Sequence, residues 1–223
     1  MQMEKITIND GWHGLWYRIG AQARNAWEVF LGTIVKHYCE PHRYYHNFSH
    51  LIQLFNEFKE VRHLCVNPDA VEMFLWLHDL IYLIGANDNE EQSAEASEKI
   101  LMNARLSEEI SRIFIPEVKR LVLLSKDHLA APNDIDGALA MDLDLSILGQ
   151  PIDVFDAFEY KIWQENVLGG DMAEEAFRTR REDILRKFLD RTPIYQTPYF
   201  REKYEKTARA NLERSLRQLQ IAA

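Results

Sequence analysis

The sequence predicts an all-α protein. Apolar side chains recur at three- and four-residue spacing along most of the chain, the pattern that turns one helical face toward a core. No segment sustains the period-two alternation of a half-buried strand. Proline and glycine fall where helices should start or stop, at Pro68, Gly149, Pro151 and Gly169-Gly170.

Taken in order, Trp27, Phe30, Leu31, Ile34, Val35 and Tyr38 share one helical face. Leu51, Leu54, Phe55, Phe58 and Val61 repeat the pattern after Ser49, whose hydroxyl suits a first turn with free amides, so His50 opens that helix. Asn67-Pro68 starts the next. Its residues Val71, Met73 to Leu77, Leu80 and Ile81 are apolar nearly all round, which marks a central buried helix carrying His78 and Asp79 within it.

Asn89 with Gln92 has the form of a capping box ahead of Ala94 to Ala104. Ser107 and Pro116 are candidate starts of the next helices, the second bearing Val118, Leu121, Val122, Ser125 and His128 on one side. Asp136 to Leu148 reads as a helix stopped by Gly149, and Pro151 opens another that carries Phe155, Phe158 and Ile162 and ends at Gly169-Gly170. Two amphipathic helices, near Ala173 to Leu189 and Phe200 to Leu219, flank the turn-rich Arg191 to Pro198.

A chain of 223 residues can bury one substantial core, and without an internal repeat or low-complexity linker it reads as one domain. Its 35 acidic and 26 basic residues give a net charge of -9, which argues against a long nucleic acid as partner. The arginines between Arg178 and Arg186 are interrupted by Glu182 and Asp183 and read as a solvated helix face. Cys39 and Cys65 are too few for a disulfide framework and read as small buried hydrophobes in a reducing compartment. Met1 to Gly11 lacks a basic, then apolar, leader, and no apolar run nears the roughly 18 residues of a membrane span. The expected location is the cytoplasm, with no membrane partner.

A carboxylate inside an apolar helix loses several kcal/mol of hydration, so Asp79 needs a cation, a metal or dense hydrogen bonding. Asp142 and Asp144, set among Met141, Leu143, Leu145 and Leu148, pose the same problem. Eight histidines are available, and His46 and His50 lie four apart at the head of the helix before His78. Histidine and carboxylate from separate helices are the donors expected of a transition-metal site.

A single His, a His-Asp pair and a distant Asp on separate helices resemble the HD superfamily of metal phosphohydrolases. The segments Arg43-Tyr44-Tyr45-His46-Asn47-Phe48-Ser49-His50, His78-Asp79-Leu80-Ile81-Tyr82, Asn89-Glu90-Glu91-Gln92-Ser93-Ala94 and Asp142 to Gly149 are similar to an uncharacterised bacterial branch of it. Glu205, Ala208, Arg209, Asn211 and Leu212 extend the resemblance toward the C-terminus. It implies a single HD-type helical bundle over residues 1–223, with a metal-site core at about 22–150 and the helices of about 151–220 packed on it. By position it implies His50, His78, Asp79 and Asp142 as ligands of one divalent ion (Mn, Fe, Co, Ni, Zn or Mg), with Asp144 as the alternative to Asp142. Dinuclear members have two further histidines between the pair and the last Asp. Only His128 lies there, which favours one metal unless Glu90 or Asp144 supplies a ligand.

The implied reaction is hydrolysis of a nucleotide or other small phosphate ester by metal-activated water. Besides Asp79, Glu90, His46 and His128 are the candidate acid-base residues, in that order. Arg43 is the candidate phosphate clamp, helped by Tyr45 or Tyr82, with Asp144 also placed near substrate; Arg181 and Arg209 read as structural. The alternatives are a non-catalytic nucleotide or metal sensor and an iron oxygenase. The two amphipathic C-terminal helices offer a face for a homodimer or a cover for their own core.

Overall fold

The computed structural model describes residues 11–22 and 26–221. The leader reading of Met1 to Gly11 concerns residues that, Gly11 apart, lie outside these, as does the placement of the Trp27 side chain. The described residues contain ten α-helices and no strand: α1 (11–18), α2 (Ala26–Tyr38), α3 (Phe48–Val61), α4 (Pro68–Leu77), α5 (Asn89–Asn103), α6 (Glu108–Leu124), α7 (Ile135–Asp144), α8 (Ile152–Trp163), α9 (Glu174–Leu189) and α10 (Pro198–Ile221). None is long and apolar enough to cross a membrane.

The helix starts follow from capping chemistry. Asn67 accepts from Ala70 N ahead of Pro68, Ser107 accepts from Ile110 N, and Asp134 accepts from Gly137 N. Asn47, rather than Ser49, caps α3: its side chain takes the amide of Ser49 and donates to the carbonyls of Arg43 and Tyr44. His50 therefore sits in the first turn of α3, and His46 lies before the helix rather than at its head. Pro116 falls inside α6 and starts nothing. The Asn89–Gln92 capping box does not form, since Asp88 is the cap residue and Asn89 instead holds the backbone of Leu83.

The helix expected through Ile81 stops at Leu77, leaving His78 as its C-cap and Asp79 in the turn that follows. The break is held from outside. The buried Arg43 guanidinium donates to the carbonyls of Asp79 (2.6 Å) and Leu80 (2.9 Å), and Ser93 of α5 bonds both backbone groups of Ile81. A cation at the C-terminal carbonyls also suits the helix dipole.

One buried apolar cluster runs from Trp12 and Leu15 through Phe74 and Trp76 of α4 to Phe200 and Leu212 of α10. Helix α4 is its centre and packs on α3, α6 and α7. α10 rests on α9 and on the 3-10 turn Leu145–Gly149, where Asn211 donates to the carbonyls of Leu148 and Gln150 at 2.9 Å each. Arg209 and Glu205 fix the segment before α10, Arg209 on the carbonyls of Leu189 and Arg191 and Glu205 on the amides of Ile194 and Tyr195. Cys65 is half-buried, but Cys39 is exposed just after α2 and is not the buried hydrophobe expected.

Gly149 packs so closely on α10 that an added Cβ would overlap the Tyr204 side chain. Gly149→Ala should cost about 1–3 kcal/mol by overpacking. Urea unfolding would read this as a lower midpoint with an unchanged slope.

Candidate metal centre

Three elements meet at the cluster. α3 supplies His50 from its first turn, the end of α4 supplies His78 and Asp79, and the last turn of α7 supplies Asp144. His50 Nε2 lies 3.2 Å from His78 Nε2, and Asp144 Oδ1 lies 3.4 Å from the first and 3.6 Å from the second. Asp79 Oδ2 reaches the same nitrogens, at 3.1 Å from His78 and 3.7 Å from His50. Ligand atoms about 2.1 Å from a common ion stand roughly 3.0 Å apart at right angles and about 3.4 Å apart in a tetrahedron, so the spacing of either carboxylate from the two histidines suits one metal ion. His50, His78 and Asp144 each offer one ligand atom, and these lie within 4.8 Å of one another.

The surroundings orient these donors. His78 Nδ1 lies 3.2 Å from the carbonyl of Leu75, a contact that places a proton on Nδ1 and leaves Nε2 as the nitrogen facing the cluster. His128, at positive φ in the turn after α6, bonds Asp144 Oδ2 at 3.0 Å and leaves Oδ1 for the histidines. Burial opposes charge on both imidazoles. At His78 the carboxylates of Asp79 and Asp144 outweigh it and hold the ring well above the ordinary histidine value, whereas His50 is held below. Burial likewise opposes the carboxylate charges, but His78 with His46 keeps Asp79 low, and His78 with His128 and His50 keeps Asp144 lower still than a free carboxyl.

Asp142 is placed elsewhere. Two residues on a helix span about 200°, so Asp142 and Asp144 leave α7 on opposite sides. Asp142 accepts from the amides of Gln196 (2.8 Å) and Thr197 (2.7 Å) and from the Thr197 hydroxyl (2.6 Å), anchoring the segment that opens α10. Its burial, only partly offset by these donors, raises its pKa to about 6. Asp144 takes the place among the histidines that Asp142 was expected to fill.

Arg43 is also reassigned. Besides the carbonyls of Asp79 and Leu80, its guanidinium bonds Glu40 (2.9 Å) and the carbonyl of His46 (3.1 Å), and its side chain is fully buried. It positions the turn carrying Asp79 and does not line the cavity beside the cluster.

That cavity, about 370 Å³, is lined by His46, Asp79, Tyr82, Glu90, His128 and Asp144 among others, so most of the expected site residues share it. The Tyr82 ring stacks on His46 with centroids 4.1 Å apart. Sequence reasoning missed Glu165. It projects from the π-helical turn Gln164–Gly169 that prolongs α8, with its side chain fully buried. Glu165 takes the amides of Tyr45 (2.7 Å) and His46 (2.8 Å), His46 Nδ1 (2.7 Å) and the Tyr82 hydroxyl (3.3 Å). The available signal was spacing: Phe155, Phe158, Ile162 and Glu165 follow one another by three, four and three, putting a carboxylate on an apolar face.

Fold and cluster together define the class: an all-helical protein with a candidate mononuclear site of two imidazoles and two carboxylates opening on a cavity. The chain was compared with protein-family models, curated proteins and solved structures, and matches none of them.

Proposed function

We propose that this chain is a metal-dependent phosphohydrolase of the HD type, acting on a nucleotide or other small phosphate ester. The observation that carries this reading is the convergence of His50, His78, Asp79 and Asp144 from three helical elements on one point in the cavity wall. Mixed imidazole and carboxylate donors suit Mn, Fe, Co, Ni or Zn, and Mg to a lesser degree. A bound ion would supply an acidified water and polarise a phosphoryl oxygen.

The chain's own groups then divide the remaining work. His128 steadies Asp144 rather than exchanging protons, since its Nε2 is committed there. Glu90 lines the cavity from the first turn of α5 and is the candidate partner of the attacking water. His46, its Nδ1 held by Glu165, keeps Nε2 as the nitrogen for a leaving oxygen. Activity measurements on chelated and metal-reloaded protein across a panel of phosphate esters test the reading. Turnover that needs the metal is expected; a metal-loaded protein inert on every ester would sink it, and tight nucleotide binding without turnover would make it a sensor.

A further inference from the structure

A phosphoryl dianion brought to this cluster meets Asp79 and Asp144, whose charge one divalent ion only cancels. It therefore needs a further cation, and Arg43 is spent on Glu40 and three carbonyls. Part of the cavity wall is built by α9, where Phe177, Arg180, Arg181, Ile184 and Phe188 follow the helical spacing of one face. This is the stretch that reads in the sequence as solvated.

The other cations of the wall are already engaged. Lys126 pairs with Glu91 and bonds the carbonyl of Asn87, Arg181 with Glu159, and Lys187 with Asp127 at 3.3 Å. Arg191 donates to the carbonyls of Asp127 and His128 at 2.6 and 2.9 Å. Arg180 lines the same cavity and has no hydrogen-bond or ion-pair partner among the described residues. It is exposed, and it shares the lining of the cavity with Tyr82, His46, Asp79 and Asp144.

We infer that Arg180 is the residue that binds the substrate's phosphoryl group, its planar guanidinium taking two phosphoryl oxygens in the cavity that Asp79 and Asp144 also line. The inference rests on the proposed function and gives it a phosphate-recognising side chain that the sequence motifs do not contain.

The test uses the full chain loaded with Mn(II) and titrated calorimetrically, first with the metal and then with inorganic phosphate. Arg180→Ala should weaken phosphate binding about 10- to 100-fold, as expected for loss of charge-assisted hydrogen bonds, and leave metal affinity unchanged. Arg180→Lys should recover part of the loss. Arg186→Ala, on the same helix but paired with Glu182 outside the cavity, should change neither. Phosphate bound equally by wild type and Arg180→Ala, or not bound by the metal-loaded wild type, would overturn the role of Arg180 and leave the metal site standing. A wild type that takes up no metal would instead remove the proposed function, and this inference with it.

Discussion

Asp144→Ala is expected to abolish metal retention and ester hydrolysis in a protein that still folds, whereas Asp142→Ala is expected to do the reverse. Asp144 Oδ1 is one of the atoms that converge at the proposed metal site, and the other carboxylate there, Asp79, is already part of the set. Loss of an outer residue that only orients a ligand typically weakens metal binding 10- to 100-fold, so loss of the ligand itself should exceed about 100-fold. His128→Ala, which frees Asp144 Oδ2 without removing Oδ1, should fall within that smaller range.

Asp142→Ala leaves every converging atom in place but strips three donors at Gln196 and Thr197 of their acceptor. Unpaired buried donors cost about 1–3 kcal/mol each, less where water reaches them, so a loss of about 2–4 kcal/mol in unfolding free energy is expected. Metal content by elemental analysis and urea unfolding, run on both variants, separate the two roles. An Asp142→Ala protein that is fully stable and metal-free would reverse the assignment.

The helices were legible because each apolar face has to be written in the sequence to be buried, as Leu51, Leu54 and Phe58 on α3 show. His50, His78 and Asp79 were legible for a related reason, being costly groups set against apolar neighbours. What the sequence could not decide was direction. Asp142 and Asp144 both look like carboxylates buried in an apolar helix, and only the helices around α7 determine which one meets the histidines. The end of α4 was illegible because its stop signal is Arg43, far away in the chain, rather than a glycine or proline nearby. Arg43 itself was misread for the same reason: a guanidinium beside a histidine motif suggests a phosphate clamp until the carbonyls it covers are known.

Glu165→Ala is expected to destabilise the protein by about 3–5 kcal/mol, the usual cost of breaking a buried charged pair by removing one partner. It would leave the amides of Tyr45 and His46 and the His46 ring without their acceptor, directly before the helix that carries His50. Glu165→Gln keeps the shape and should cost less, and its cost should depend on pH in a defined way. Burial works against charge on both partners, but each outweighs it for the other: His46 and the amides hold the Glu165 carboxyl below its ordinary value, and Glu165 with Asp79 holds the His46 imidazole above its own. A depressed carboxyl contributes stability above its unfolded value, about 4.3, and loses it as pH falls through the folded value. A raised histidine contributes fully below its unfolded value, about 6.5, and loses it as pH rises through the folded value. The stability difference between wild type and Glu165→Gln, measured in chelated protein, should therefore be greatest between about pH 4.3 and 6.5 and shrink on both sides. A difference that is flat from acid to alkaline pH would mean that Glu165 acts through its shape and hydrogen bonds, with no charged pair at His46.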